Sequence, residues 1–361
     1  MWPYFILIGL PLILQHEKSA NIVSLTLGNS RGNKRSLGVF WGILFFMVAF
    51  RHEMIGNDTF VYKQIFHTYA EESWPAVFGH SAEVGYSFLN KLISLITDNF
   101  RWVLIVCAFL CIYPLAKAYI KYSDDASLTI SIFVIMSNFV LLFSGLRQGI
   151  AIALGVFAFE MVRNKKIILF VIVTVIAMLF HTSAFIIFFM YPLYYIKFTR
   201  KSIKFLVPIL IVIWVFNRQI FSFLGILLNQ FTDYDTSITE TGSVTMLILF
   251  IIFAVFSYLI PEESKLDTDT LGMRNFLLLA VVIQMFTPLH SLAMRMNYYY
   301  IIFIPLLIPK IIQARSARWD QVAIVARHIM VAFFLIYFFY NAYTGGHHLS
   351  VFPYHFFWES V

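Results

Sequence analysis

About twelve long apolar runs, separated by short polar intervals, dominate this sequence and limit the folds open to it. Each run needs a non-aqueous neighbour, and a helix needs roughly 20 apolar residues to cross a bilayer. Several runs are shorter than that, so we expect their flanking polar residues to lie at membrane depth. The sequence predicts an all-α integral membrane protein, with about twelve transmembrane helices in a single multi-pass domain over residues 1–361. The runs centre on Tyr4–Leu14, Leu37–Phe50, Trp102–Tyr119, Leu128–Ser144, Gly149–Val162, Ile167–Phe180, Ser183–Ile196, Ile203–Phe216, Val244–Ile260, Leu271–Phe286, Asn297–Ile312 and Val322–Tyr340.

The composition excludes several classes of protein. Hydrophobic residues make up 60% of the chain and charged residues only 12%, about half the charged fraction of an ordinary globular chain. A soluble enzyme, a disordered protein and a DNA-binding domain are therefore excluded. The net charge of +7 comes from basic residues in short clusters between apolar runs, which is typical of membrane topology signals. We therefore expect no nucleic-acid partner.

The distribution of Lys and Arg predicts the orientation. Of the 26 basic residues, 19 fall in one set of alternate loops and 7 in the other. The positive-inside rule assigns the richer set to the cytoplasm, which places both termini outside, including a C-terminal tail over residues 341–361. The segment before Leu14 has neither a basic start nor a small-residue cleavage site, so we expect a first membrane helix there instead of a signal peptide.

Three of the outer basic residues lie directly at the ends of predicted helices: Arg51, Arg147 and Arg295. An Arg partly withdrawn into a membrane is costly unless it meets a counter-charge. The alternative is an Arg that anchors its helix by reaching into the headgroup layer. Because all three lie on the side that the positive-inside rule disfavours, the pattern favours an anion-binding role.

The outer loop over residues 51–101 is the longest polar interval, and apolar residues recur in it at helical spacing: Tyr62, Ile65, Phe66 and Tyr69. This spacing predicts interfacial helices that lie on the membrane face. Asp58 is either the N-cap of such a helix or a carboxylate near Arg51 that acts as a general base. Glu83 is likewise either a charge at the start of a helix or a second catalytic acid.

Two outer turns carry further candidates. Arg147 and Gln148 open a predicted helix, where unpaired backbone N–H groups and a planar guanidinium favour a phosphate. His181 lies at the next outer turn, as a structural residue or as a proton acceptor, and Thr182 or Ser183 is expected to cap the following helix.

A third outer position carries Arg295, which shares a helix face with Tyr299; the adjacent tyrosines are otherwise typical of an aromatic belt. The histidines of the tail, His347, His348 and His355, have no accompanying carboxylate or Cys at a recognised spacing, so we expect no metal site. We also expect no cofactor, since no nucleotide-binding motif is present.

At these residues the sequence resembles the EpsG-like branch of the Wzy polysaccharide polymerases, from about residue 40 to the C-terminus. The matching set is Arg51 with Gly56 and Asp58, Glu83 with Gly85 and Tyr86, Ser144-Gly145-Leu146-Arg147-Gln148, Phe180-His181-Thr182-Ser183-Ala184, Arg295 with Tyr299, and Pro353-Tyr354.

The resemblance implies a multi-pass protein of the bacterial inner membrane, similar to the lipid-dependent C-superfamily glycosyltransferases. Such a protein joins O-antigen or capsular repeat units, carried on undecaprenyl diphosphate, at the periplasmic face. The implied partners are these lipid-linked oligosaccharides, the bilayer and a chain-length regulator.

The residues suggest roles in such a reaction. We expect Arg147 and Arg295 to bind the diphosphate, with Gln148 and Tyr299 beside them and Arg51 orienting the headgroup or its neighbouring acid. His181, Asp58 and Glu83 are unranked candidates for deprotonating the acceptor hydroxyl. Aromatic residues of the outer loop either stack on sugars or pack at the interface: Tyr62, Tyr69, Trp74 and Tyr86.

Two alternatives stay open. A flippase for lipid-linked sugars would use the same Arg residues without chemistry, but it should show charge deep inside its helices and two related halves. The polar groups here gather on one side instead. An O-antigen ligase would share both the topology and the Arg residues, so the sequence separates it only weakly from a polymerase.

Overall fold

The computed structural model describes residues 1–16, 30–79, 83–227, 240–344 and 350–360. Across these residues the chain forms eighteen α-helices, three 3-10 helices, of which Thr182–Phe189 is the longest, and two isolated β-bridges, so the predicted all-α class is confirmed. The chain divides into two compact units, Met1–Phe185 with Ile324–Val361, and Ile186–Ala323. The expectation of one membrane domain over residues 1–361 stays a prediction.

The first unit contains ten complete helices and most of an eleventh. Its core is aromatic: Trp41, Tyr119 and Phe133 come from three different helices, with ring centroids 5.0–5.5 Å apart. The helices are α1 (Trp2–His16), α2 (Ser30–Ala49), α3 (Thr59–Glu71), α4 (Trp74–Gly79), α5 (Val84–Ser94), α6 (Arg101–Tyr122), α7 (Ala126–Ile135), α8 (Ser137–Ser144), α9 (Leu146–Arg163), α10 (Ile167–Phe180) and, from Ile324 onward, α18 (Asp320–Thr344).

The second unit has its own buried charge and its own set of helices. Arg274 is 1% exposed and is neutralised by Glu263, with 2.9 Å between Nη1 and Oε1, while its guanidinium lies over the ring of Tyr258. A buried ion needs such a partner because desolvation is costly. The helices are α11 (Met190–Tyr195), α12 (Arg200–Val215), α13 (Asn217–Leu227), α14 (Glu240–Leu259), α15 (Thr268–Gln284), α16 (Ser291–Ile301) and α17 (Ile304–Gln313).

The outer loop over residues 51–101 contains three helices, α3, α4 and α5. The predicted helical spacing is confirmed in α3, which buries Tyr62, Phe66 and Tyr69 on one face. Asp58 occupies the N-cap position of α3, but its side chain makes no capping hydrogen bond. Lys91 links α5 to α3, because its ammonium donates to main-chain carbonyls at the C-terminal end of α3. Contact of these helices with the membrane face stays a prediction.

The C-terminal segment over residues 350–360 is bound to the C-terminal end of α2. The N–H of His52 donates to the carbonyl of His355 over 2.8 Å, and the N–H of Phe357 donates to the carbonyl of Phe50 over 3.1 Å. The hydroxyl of Tyr354 donates to the carbonyl of Met47 over 2.7 Å. The segment therefore holds the start of the outer loop. The predicted residues His347 and His348 lie outside the described residues.

The membrane spans are less regular than the sequence predicts. Within the described ranges two helices are long and apolar enough to cross a membrane, Arg101–Tyr122 and Ala317–Thr344, and up to five spans result if each bent helix pair counts as one. Four shorter apolar helices accompany them. Twelve crossings therefore stay a prediction.

Three of the predicted runs differ from continuous helices. The run Leu128–Ser144 is two helices bent by 64°, because Met136 adopts an extended conformation between them. The run Asn297–Ile312 bends by 42° between α16 and α17, where Pro305 supplies no N–H to continue the helical ladder. The run at Ile203–Phe216 ends in a 74° bend before α13. Apolar periodicity does not record such breaks.

The C-terminal segment yields a stability prediction. We expect Tyr354→Phe to lower the free energy of unfolding by about 1–3 kcal/mol, because the buried hydroxyl loses its bond and leaves the carbonyl of Met47 without that donor. Thermal unfolding of the purified protein in detergent measures the change. Tyr343→Phe is the matched control, since Tyr343 is 84% exposed. Equal shifts in the two variants would contradict a holding role for Tyr354.

Candidate functional site

The Glu83 carboxylate contacts two residues that are distant in the sequence. Its Oε1 lies 2.5 Å from Nδ1 of His181, and its Oε2 forms an ion pair with Nη1 of Arg147. The side chains of Glu83 and His181 are 10% and 12% exposed, and that of Arg147 is 35% exposed. We call these three residues the Glu83 cluster. It joins two predicted catalytic residues to one predicted phosphate ligand.

Each member of the Glu83 cluster lies at a helix end. Glu83 is the N-cap of α5, His181 is the C-cap of α10, and Arg147 lies in the first turn of α9. A cation is unfavourable at the positive N-terminus of a helix, and the carboxylate of Glu83 offsets this at α9. The cluster is therefore held by three separate backbone segments.

Close backbone approaches at two glycines position the outer loop. A Cβ added at Gly85, in the first turn of α5, would meet the main chain of Leu179 at 3.0–3.1 Å. Gly56 has φ +86°, and an added Cβ would lie 2.1 Å from the carbonyl oxygen of Phe143. Only glycine accepts both the left-handed conformation and this contact. These contacts bring Glu83 beside His181, and Asp58 beside Ser144.

Asp58 contacts the turn that leads into α9 and Arg147. The hydroxyl of Ser144 donates to Oδ2 of Asp58, and the N–H of Asp58 points at the oxygen of that hydroxyl, both over 3.4 Å. Asp58 is solvent-exposed, unlike Glu83. The predicted capping bond is therefore replaced by a contact with another outer turn. No feature of the sequence marked Ser144 as its partner.

Two tyrosines of the outer loop pack against Arg147. The guanidinium carbon lies 5.5 Å from the ring centroid of Tyr62 and 5.9 Å from that of Tyr86. Both rings are buried, at 4% and 2% exposure, and Tyr69 is buried as well. The burial of these three rings favours packing against the protein over sugar stacking. The helical spacing of Tyr62 and Tyr69 predicts the buried face of α3, but it does not predict the contact of Tyr62 with Arg147.

Arg51 is buried with 0% exposure, although the sequence suggests a headgroup ligand. Its Nε donates to the carbonyl of Ile55 over 3.3 Å, and its Nη1 donates to the carbonyl of Val48. These bonds satisfy carbonyls at the C-terminal end of α2 and in the following turn. The geometry supports a role in shaping the loop that carries Asp58, rather than direct contact with a substrate.

The remaining predicted ligands are placed as follows. Gln148 is 6% exposed in the first turn of α9, where it belongs to the packed wall behind Arg147. In the second unit Arg295 is exposed on α16, whereas Tyr299 is 1% exposed and lies in the core of that unit. The burial of Tyr299 argues against substrate contact.

Among the described residues no group of three His, Cys, Asp or Glu side chains is arranged to hold a metal ion.

The electrostatics fix the protonation of the cluster. Burial raises the pKa of Glu83, but the hydrogen bond to His181 and the charge of Arg147 outweigh burial, and the pKa lies below its ordinary value of 4.5. The carboxylate is therefore ionised near neutral pH. An ionised carboxylate can only accept, so Nδ1 of His181 carries a proton and donates it. Nε2 of His181 is buried and has no hydrogen-bond partner.

A comparison with protein families assigns this chain to a known group. The family model described as the EpsG family matches residues 35–356, well over half of the chain. The chain belongs to the EpsG family. The match includes all three residues of the Glu83 cluster, and it confirms the EpsG part of the resemblance seen in the sequence. No curated protein and no solved structure matches this EpsG-family chain.

The Glu83 cluster predicts a pH dependence of stability. A carboxyl whose pKa is lower in the folded state stabilises the fold above its unfolded pKa of about 4.5, and this contribution is lost as the pH falls through the folded value. We therefore expect wild type to lose more stability than Glu83→Gln between about pH 6 and pH 3. Unfolding midpoints in detergent at both pH values measure the difference.

The exposed Glu71 of α3 supplies the control for this measurement. Glu71→Gln should follow the wild-type profile. If the curves of wild type and Glu83→Gln run parallel, Glu83 is not stabilised as an anion by its two neighbours.

Proposed function

We propose that this EpsG-family chain is a polysaccharide polymerase that joins lipid-linked oligosaccharides at the outer face of the bacterial cytoplasmic membrane. The family is linked to exopolysaccharide synthesis. The observation that supports the proposal most directly is the Glu83 cluster, which combines an oriented imidazole with a partly exposed guanidinium. Such a pair suits the transfer of a sugar away from a phosphate leaving group.

In this proposal His181 is the general base. Glu83 accepts from Nδ1, which leaves the lone pair on Nε2; this atom is buried without a partner, and in the proposal the acceptor hydroxyl reaches it when the substrate displaces the side chains that cover it. The sequence did not rank these three candidates, and the proposal gives each a distinct role. His181 removes the proton, Glu83 orients the imidazole, and Asp58 positions the acceptor from the neighbouring turn. The exposure of Asp58 and its bond from Ser144 support that positioning role.

Arg147 is the proposed ligand of the diphosphate. Its Nη1 is engaged with Glu83, its Nε makes no hydrogen bond, and its side chain is 35% exposed. A guanidinium in this setting stabilises negative charge that develops on the leaving group. Gln148 and Arg51 support the turns and the buried Tyr299 is left out, while a phosphate contact by Arg295, exposed on α16, stays a separate prediction.

The proposed reaction balances as follows. The acceptor hydroxyl oxygen attacks the anomeric carbon of the donor sugar, and the bond from that carbon to the diphosphate oxygen breaks. The hydroxyl proton passes to Nε2 of His181, and undecaprenyl diphosphate leaves as the anion. No nucleotide enters the reaction. The outer location of the site, the periplasmic termini and the chain-length partner belong to the same proposal.

The decisive experiment gives the purified protein a chemically defined undecaprenyl-diphosphate-linked repeat unit without nucleotide. A polymerase produces a ladder of longer glycans. A flippase, which the bend between α7 and α8 would suit because transporters use broken helices, moves the lipid without elongating the glycan. An O-antigen ligase transfers glycan only when lipid A core is added. Either of these last two results would overturn the proposal.

Arg147→Lys tests the phosphate ligand. We expect the rate of chain growth to fall by at least about 100-fold, because an ammonium keeps the charge but loses the planar donor pair. Arg163→Lys is the matched control, since Arg163 ends the same helix α9 and also pairs with a carboxylate, Glu160. Normal ladders from Arg147→Lys would remove Arg147 from the site.

His181→Gln tests the base. We expect the rate to fall by about 100-fold or more, with little change in KM, because glutamine can hydrogen-bond to Glu83 but cannot accept the proton at neutral pH. The control is His67→Gln, since His67 is exposed on α3. A loss of less than tenfold would assign His181 a structural role.

A further inference from the structure

The described surface of the first unit carries an apolar stripe along α10 that ends at the Glu83 cluster. Four exposed side chains, spaced by four, three and four residues, form it: Ile168 at 74%, Ile172 at 47%, Val175 at 46% and Leu179 at 43% exposure. This spacing places them on one face of the helix. Leu179 precedes His181 by two residues, so the stripe reaches the site itself. We call these four residues the α10 stripe.

A second exposed apolar row begins at the same point. Val84, Phe88 and Leu92 of α5 are 37%, 49% and 43% exposed and recur every four residues. The two rows meet where Gly85 approaches the backbone of Leu179. The residue before Val84 is Glu83, so the charged cluster lies at the junction of two apolar surfaces. This arrangement is complementary to an amphiphilic lipid, because a charged site for a headgroup lies beside an apolar surface for its chain.

The other helix of the cluster offers no such path. α9 carries Arg147, but twelve of its eighteen residues are buried and Phe157 is its only exposed large hydrophobic residue. Of the two helices of the cluster that expose apolar side chains along their length, α10 is the longer, with 14 residues against 11 in α5. Its 14 residues correspond to a path of about 21 Å.

We infer that the α10 stripe binds the isoprenoid chain of the lipid-linked donor while its diphosphate contacts Arg147. This inference rests on the proposed function and assigns the lipid half of the same substrate. The α10 stripe adjoins the Glu83 cluster, which supports this inference. Glu83 contacts both Arg147 and His181, so a diphosphate at Arg147 is close to the end of the stripe at Leu179. The first isoprene units then meet Leu179, and the chain continues along Val175 and Ile172 toward Ile168.

The chain supplies a matched control surface on α18. Ile329, Phe333, Ile336 and Tyr340 repeat the same four, three, four spacing and are 61%, 58%, 69% and 63% exposed. A helix face that only contacts bulk lipid should behave like this one. Any difference between the two stripes therefore reports specific binding of the donor chain.

The first test compares two donors that carry the same repeat unit, one on undecaprenyl diphosphate and one on a diphosphate with a short isoprenoid. We expect the double variant Ile168→Ala/Ile172→Ala, at the end of the stripe that only a long chain reaches, to raise KM for the long-chain donor by about tenfold through lost apolar contact. The KM for the short-chain donor and both kcat values should stay near wild type. Ile329→Ala/Ile336→Ala should change neither KM.

A second test does not depend on turnover. The photoreactive residue p-benzoylphenylalanine is placed at Leu179 or at Ile336 in the full chain in lipid nanodiscs. Radiolabelled undecaprenyl diphosphate should crosslink at Leu179 and much less at Ile336. Excess unlabelled undecaprenyl diphosphate should compete at Leu179, whereas the bulk phospholipid should not.

The outcomes separate the two proposals. Equal crosslinking at both positions, or an unchanged KM for the long-chain donor, would show that the α10 stripe contacts bulk lipid only and would overturn the inference. If wild type still produced glycan ladders, the polymerase proposal would remain supported. Selective crosslinking at Leu179 without any ladder would support the lipid path and refute the polymerase.

Discussion

The ionised carboxylate of Glu83 is the interaction on which the candidate site depends. It offsets the charge of Arg147 at the start of α9 and, through Nδ1, orients His181 at the end of α10. Without it, a half-buried guanidinium would face the positive end of a helix and the imidazole would have no fixed tautomer. One anion thus sets both the charge balance of the candidate site and the tautomer of His181.

The rest of the outer region serves to hold that anion in place. Two close glycine contacts seat the outer loop on neighbouring turns, Lys91 joins α5 to α3, and the C-terminal segment binds the end of α2. Arg51 contributes from within, by bonding carbonyls at its own helix end. Residues that look like ligands in the sequence are therefore divided between the site and its scaffold, and burial decides which is which.

Part of the site could be predicted from residue types alone. Arg147 stood out because a charged side chain at the end of an apolar run is costly without a partner, and Glu83 and His181 because they are titratable groups at predicted helix ends. The cost argument also selected Arg51, and a shared helix face with Arg295 selected Tyr299; the structure buries both. The error has a physical cause: a sequence shows where a polar group enters the chain, but it does not show whether main-chain carbonyls or neighbouring helices will cover it.

The helical class, the exposed and buried faces of α3, and the polar residues at the turns follow from local periodicity and composition, so they can be predicted from the amino acids alone. The contact of Glu83 with His181, 98 positions away, the bond from Ser144 to Asp58, and the bend at Met136 within the run Leu128–Ser144 are visible only in the folded protein. Such contacts depend on how helices pack, and packing is settled by the shape of the whole assembly of side chains rather than by any one stretch.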